Sequence, residues 1–199
     1  MTPAQKKAVE IISEMEGVLP MHRILSAGIN RNTLYALYQM GILERISRGT
    51  YRLHSAPPLE DPDLPIIATK IPHGVICLLS ALSLHELTSH IPHEIDLAIP
   101  RSARYPSIEL PVRFYRYSES SYKEGIEERV MNGIVIRLYN AEKTLADCFK
   151  FRNKIGMDLV LEAFKAYQRN RTADFQKVLY YANLNRVERQ MIPYLEALV

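Results

Sequence analysis

Apolar residues recur at helical spacing through the first forty positions and at alternate positions further on. Ala8, Ile11, Ile12 and Met15 follow the 3, 4, 7 spacing of a helix that buries one stripe. They predict a first helix from Thr2 or Pro3 to about Glu16, ended by Gly17. Pro20 is suited to open a second, short helix over Met21 to Ala27, with Ile24 and Leu25 inward. Beyond the tight turn at Gly28, the stretch up to Gly41 predicts a third helix with a polar start and a glycine stop. At about 100° per residue, Arg31, Asn32, Tyr35 and Gln39 share one arc of it. Thr33, Leu34, Leu37 and Met40 lie opposite, and Gly41 stands where a C-cap belongs. Ile42 to Ile46 and Thr50 to Leu53 can then pair across Ser47-Arg48-Gly49, with Arg48 at the hairpin tip.

The pattern changes after His54. Four prolines, Pro57, Pro58, Pro62 and Pro65, fall within nine residues, which suits neither a helix core nor a central strand. Residues 56–65 are therefore expected to be a linker, ending in a short helix over Asp63 to Lys70. A second domain is expected over 66–199. Val75 to Leu79 is an apolar run that can begin as a strand, and Ser80 to Leu87 reads as a buried helix. Glu94 to Ile99 alternates as a strand does, and Val112 to Tyr117 is another. Glu127–Met131 and Ile134–Tyr139 flank Asn132-Gly133, the strongest short-range hairpin signal. Asn140 then caps a helix to about Arg152, with Leu145, Cys148, Phe149 and Arg152 on one side. Helices over 157–169, 172–182 and 186–198 follow, with Thr172 and Asn185 as caps. The fold class is mixed: a small helical domain with a β-hairpin, then an α/β or α+β domain with a helical tail.

Charge sharpens the first part of this picture. Residues 1–55 carry Lys6, Lys7, Arg23, Arg31, Arg45, Arg48 and Arg52 against Glu10, Glu14, Glu16 and Glu44. That accounts for the whole net charge of +3, so the rest of the chain balances to zero. Three helices followed by a basic hairpin form the winged helix-turn-helix arrangement, expected over residues 1–55. Guanidinium, amide and phenol groups on the exposed arc suit base edges and phosphates. Asn30, Arg31, Asn32, Tyr35, Gln39, Arg45 and Arg48 are the candidate DNA-binding residues. The competing reading is a small helical domain that binds a protein. No apolar run approaches the roughly 20 residues of a membrane span, and the first residues lack the apolar core of a signal peptide. A cytoplasmic protein without a membrane partner is expected. Cys77 and Cys148 lie far apart among apolar residues, as two buried reduced thiols would.

From about residue 5 to its C-terminus the chain resembles a known family, most specifically in its second half. His85-Glu86-Leu87-Thr88, then Ile91-Pro92-His93-Glu94 leading into Ala98-Ile99-Pro100-Arg101, resembles the AbiEi-like antitoxins of type IV toxin–antitoxin systems. The block from Tyr139 to Gly156, centred on Ala141-Glu142-Lys143-Thr144-Leu145-Ala146-Asp147, carries the most specific likeness. The resemblance implies a winged helix that binds inverted repeats in its own promoter and represses its operon. It also implies a C-terminal domain that counters a nucleotidyltransferase-like toxin without a stable complex. The protein would be a monomer in solution, cooperative on DNA, with no catalytic residue, metal or cofactor. Carried onto this chain, the likeness places DNA contacts at Arg31, Asn32 and Arg48. It places antitoxin activity at Lys143 and Asp147, to which the neighbouring cations Arg101 and Lys150 add a surface.

Other chemistry in the sequence keeps rivals open. His73, His85, His90 and His93 crowd one region beside Glu94 and Asp96, but without the HxH or HxxxH spacing of a metal site. Histidines that fix a loop by hydrogen bonds are the alternative. Glu94 and Asp96 on one strand face resemble the carboxylate pair of a magnesium-dependent nucleotidyltransferase, yet Ser80 follows Leu79 rather than glycine. Lys143 and Asp147, spaced i, i+4, read either as an ordinary surface ion pair or as a functional one, a polar contact surface or a buried pair anchoring the helix to the sheet. Arg101, Arg104, Arg113, Arg116, Lys150, Arg152 and Lys154, with Tyr105, Phe114, Tyr115 and Tyr117 interleaved, form either a nucleic-acid surface or a solvated edge. A stand-alone transcription factor with a sensing domain, a nucleotidyltransferase-like enzyme and an interaction adaptor remain the alternatives.

Overall fold

In the computed structural model, residues 1–15, 17–59 and 61–197 are described. Mixed α and β structure forms eleven helices and two sheets among them. The chain divides into two compact units.

The first unit comprises residues 1–72 together with 129–136. It begins with α1 (Pro3–Glu14), whose start is fixed by a reciprocal cap. The Thr2 hydroxyl accepts from the Gln5 N–H at 3.2 Å, and the Thr2 N–H donates to the Gln5 side chain at 2.7 Å. The expected helix end at Glu16 lies outside the described residues. β1 (Leu19–Pro20), α2 (Met21–Ser26) and α3 (Arg31–Gln39) follow. β2 (Leu43–Ser47) and β3 (Thr50–Leu53) then form the expected hairpin, with a register shift between Arg45 and Ser47. β1 was not foreseen. It pairs antiparallel with β3 through Leu19 and Pro20, completing a three-stranded sheet in the order β1-β3-β2. Pro20 lacks an N–H, and a two-residue edge strand is where a sheet tolerates that.

Ala8 and Ile12 of α1 meet Leu19, Ile24, Leu34, Leu37, Leu43 and Tyr51 in one core. Ile11 and Met15 lie at its margin rather than inside. Met40, expected on the packed side of α3, is 49% exposed because it lies at the C-cap, where the helix leaves the core.

The expected boundaries at 55 and 65 do not match these units. The proline-rich stretch belongs to the first unit, with Arg52 donating to the Pro57 carbonyl at 3.0 Å. Glu60, within the expected linker, lies outside the described residues. α4 (Asp63–Lys70) follows Pro62, takes Pro65 into its first turn and buries Leu64, Pro65, Ile66 and Ile67, so this stretch is packed. Residues 129–136 also belong to this unit. The Val18 N–H donates to the Asn132 carbonyl at 2.9 Å and the Arg23 guanidinium to that of Gly133 at 2.7 Å. Gly17, at φ +75°, lies so close to the Asn132 carbonyl that a Cβ would collide with it.

The second unit comprises His73–Glu128 and the chain from Arg137 onward. It contains β4 (Val75–Ile76), α5 (Leu78–Leu84), β5 (Ile95–Pro100), β6 (Val112–Tyr117) and α6 (Glu119–Lys123). The hairpin strands are β7 (Ile126–Met131) and β8 (Ile134–Tyr139), and Asn132 and Gly133 between them take φ values of 50° and 75°. That is the left-handed pair a two-residue hairpin turn needs. The sheet order is β6-β5-β4-β8-β7. β4 runs antiparallel to β5 and parallel to β8, and β5 runs parallel to β6. Five helices complete the chain: α7 (Ala141–Lys150), α8 (Arg152–Ile155), α9 (Met157–Gln168), α10 (Phe175–Leu184) and α11 (Glu188–Glu196). α7 is the axis of the unit, buried from Lys143 to Phe149 and packed against α5, α9 and α10.

Two expected caps differ. Asp174, not Thr172, caps α10. Asn185 ends α10 rather than starting α11, and its side chain turns inward. The expected final helix reached Leu198, which lies outside the described residues. No helix among the described residues is long and apolar enough to cross a membrane.

Candidate functional site

α3 is held in place by its buried side and by Asn30. The Asn30 side-chain oxygen accepts from the Thr33 N–H at 2.8 Å, which fixes the first turn. Asn30 is therefore chiefly a cap, with only its amide nitrogen left to offer. Leu34 and Leu37 are fully buried, so the opposite face must point outward. Arg31, Asn32, Tyr35 and Gln39 are all exposed there, as expected. Tyr38 joins them, 41% exposed, with its ring edge-on to Tyr51 at 6.1 Å. Its seven-residue spacing from Arg31 was the available signal, since seven residues bring a helix back to within about 20°.

The cations of this unit divide into two groups. Arg23 is spent on Gly133, and Arg52 is paired with Glu44 and Pro57. Arg45 is exposed and bonds back to the Ser47 carbonyl at 3.3 Å, inside its own hairpin. Arg48 is exposed in the turn beside Gly49, whose φ of 81° lets the strands reverse. Among the described residues, no hydrogen bond or ion pair takes up the side chains of Arg31, Asn32, Gln39 or Arg48. Such a set can donate to phosphates and exchange hydrogen bonds with base edges.

The residues expected as an antitoxin surface do not form one. Lys143 and Asp147 are both fully buried, with the ammonium 2.6 Å from each carboxylate oxygen. α7 is enclosed on every side, so an i, i+4 pair on its inner stripe cannot reach solvent. Lys143 also donates to the Ser121 hydroxyl at 3.3 Å. Its ammonium lies 4.9 Å and 4.5 Å from the Tyr117 and Tyr139 ring centres. Asn185 donates to Asp147 at 2.6 Å and accepts from Ser121 at 3.3 Å and from Lys150 at 3.2 Å. Ser121 and Asn185 lie 22 and 38 residues from the ends of the pair they serve, and no local sequence pattern marked them.

Lys150 has an exposed stem but a part-buried amine. Burial lowers its affinity for a proton; Asp147 opposes that shift, while Lys143 and Arg101 reinforce it. Burial also pushes up the hydroxyls of Tyr117 and Tyr139 and the thiols of Cys77 and Cys148, both free cysteines. Of the expected antitoxin set, only Arg101 and Lys150 are exposed.

The histidines do not converge. His85 donates to the Tyr139 carbonyl at 2.8 Å, and His90 contacts Thr88 and Glu162. Among the described residues, no three His, Cys, Asp or Glu side chains are placed to hold a metal. Glu94 and Asp96 line one cavity of about 220 Å³ with His93, Arg113, Tyr115 and Lys154. Glu94 pairs with Arg113, while Asp96 is 5% exposed and accepts from the Leu79 N–H at 3.1 Å. Burial raises the Asp96 carboxyl to about 6 against the opposing Leu79 bond and Arg113 charge. Two further cations of the interleaved basic and aromatic region are engaged as well. Arg116 stacks on Tyr105 at 4.4 Å, and Arg152 lies over Phe149 at 4.5 Å while bonding Gln190.

No family model matches the chain, and no curated protein does. Among solved structures, the chain is similar to the RV2827C protein from Mycobacterium tuberculosis. The TM-score is 0.57 at 15% identity, covering 98% of this chain and 82% of that one. The likeness extends over nearly every element, and at this identity it describes the fold alone.

Proposed function

We propose that this chain is a double-stranded DNA-binding transcriptional autorepressor, with α1–α3 and the β2–β3 hairpin acting as a winged helix-turn-helix. α3 enters the major groove as recognition helix, and Arg48 in the wing reaches the adjacent backbone or minor groove. One observation carries the reading. The outward arc of α3 and the hairpin turn together hold Arg31, Asn32, Gln39 and Arg48, all exposed and none with a side-chain bond among the described residues, whereas Arg23 and Arg52 are bonded within the unit.

A single small module with an excess charge of +3 makes few phosphate contacts and binds one half-site weakly. Useful repression therefore needs two copies on inverted repeats in its own promoter, filled cooperatively by a protein that is monomeric in solution. The resemblance of residues 85–101 and 139–156 to AbiEi-like antitoxins supports a second role. In it, the second unit counters a nucleotidyltransferase-like toxin without holding it in a stable complex. Lys143 and Asp147 serve that role by holding α7 in place, with Lys150 tied to the same network through Asn185, and Arg101 supplies the accessible charge.

Footprinting on the DNA upstream of the gene tests the first role. Protection of two repeated half-sites, lost together in Arg31→Ala, is expected. Protection of one isolated half-site with full repression contradicts the cooperative reading. Co-expression with a nucleotidyltransferase-like toxin, both from unrelated promoters, tests the second role. Rescue that survives Arg31→Ala but not Arg101→Glu is expected, while rescue lost with Arg31→Ala would make the protein a repressor only.

A further inference from the structure

We infer that the half-site read by this protein is rich in A·T pairs, with adenines under Asn32 and Gln39 and a thymine methyl under Tyr35. The inference rests on the winged-helix reading and deepens it. On the outward face of α3, Arg31 is the one cation, and the rest are two amides and two phenols, Asn32, Gln39, Tyr35 and Tyr38. In the major groove an amide pairs bidentately with the N6 and N7 edge of adenine. A guanidinium pairs with guanine, and an apolar surface meets the thymine methyl. The side chains on offer thus match two adenines and a thymine against a single guanine.

Geometry spaces these contacts. Asn32 and Gln39 are seven residues apart on one face, about 10.5 Å at the α-helical rise. Where the helix follows the groove, that equals about three base steps of 3.4 Å. Tyr35, 46% exposed, falls between them. Tyr38 is steadied by its edge contact with Tyr51, which leaves Tyr35 as the freer ring. Arg31, at the first position of the helix, meets the end of the site. The wing points to the same composition. Arg48 and Gly49 form a narrow two-residue turn with one exposed cation. Such an arginine is attracted to the narrow minor groove of A·T tracts.

The test begins by selecting bound duplexes from a random pool with the full-length protein. The best duplex is then remade with deoxyuridine for thymidine, which removes only the methyl, and with 7-deazaadenine for adenine, which removes only N7. Selected sites should be A·T-rich over about four base pairs. The 7-deaza duplex should bind about 5- to 150-fold more weakly, and Asn32→Ala should lose sensitivity at one of the two adenines. Deoxyuridine should weaken binding several-fold for the native chain and leave Tyr35→Ala unaffected. Tight selection of G·C-rich sites, or equal affinity for native and modified duplexes, overturns this inference while leaving DNA binding intact. Failure to select any duplex overturns the winged-helix reading itself.

Discussion

Replacing Lys143 by methionine should unfold the second unit far more readily than removing an i, i+4 lysine from a helix surface. A surface pair of this spacing contributes about 0.3–0.5 kcal/mol. Here both partners have no exposed side-chain area, and the ammonium lies 2.6 Å from both carboxylate oxygens. Losing the lysine leaves Asp147 with Asn185 as its one remaining side-chain partner among the described residues, in a closed core. Removing one member of such a pair costs about 3–5 kcal/mol, a large share of the roughly 5–15 kcal/mol that holds a domain together. For a chain of this size, a melting temperature falls about 2–4 °C per kcal/mol. The expected drop is on the order of 6–20 °C. Asp147→Leu should cost as much or more, since it also strips Asn185 of an acceptor. The double variant, Lys143→Met with Asp147→Leu, removes both charges. It leaves Ser121, Asn185 and Lys150 still bonded to one another, and so should be more stable than either single variant. Urea unfolding of the full chain, followed by far-ultraviolet circular dichroism and tyrosine near-ultraviolet signal, measures all three. Single losses below about 1 kcal/mol, or a double loss equal to the sum of the singles, would refute the reasoning.

Arg31→Ala should weaken binding to the selected site by about 1–3 kcal/mol. Arg48→Ala should weaken all sequences alike and reduce the salt slope by about one; titrations at several salt concentrations separate the two. Desolvation lifts the Asp96 carboxyl from 3.8 to about 6, so between those values the folded chain holds a proton that the unfolded chain has released. Stability should fall as pH rises through that window, and Asp96→Asn should flatten the slope; parallel melting profiles for the two proteins would contradict this. Gly17→Ala puts a Cβ into the Asn132 carbonyl at a φ of +75° and should destabilise the first unit strongly, whereas Gly41→Ala, with open space around it, carries only the backbone penalty. Comparative melts of the two variants measure the difference.

Elements governed by local rules were legible in the sequence. Asn132-Gly133 named its hairpin because two successive left-handed residues suit few other pairs, and the strand Val112–Tyr117 matches residue for residue. The exposed arc of α3 followed from periodicity alone. What periodicity could not supply was the destination of a side chain among distant partners. Lys143 and Asp147 have the spacing of any solvated pair, and only the enclosure of α7 by helices far along the chain makes them interior. Asn185 carries a cap-like identity at a helix boundary, yet its amide is drawn to a carboxylate 38 residues away. The proline-rich stretch misled for a related reason. Proline forbids ladder and helix bonds but leaves its carbonyl free, and Arg52 uses that of Pro57. Residues 129–136 join the first unit through carbonyls that accept from the Val18 N–H and the Arg23 guanidinium, which no composition shift announces.

The most direct test of the central claim is fluorescence anisotropy with a labelled duplex from the DNA upstream of the gene. The full-length protein and its Arg31→Ala, Asn32→Ala double variant are each titrated against it, and against a scrambled duplex, across a range of salt. The account predicts tight, salt-sensitive binding by the native chain that prefers the upstream duplex. It predicts that the variant retains only the weaker affinity common to both duplexes. Equal affinity of the native protein for the two duplexes, or a variant that still discriminates between them, would contradict it.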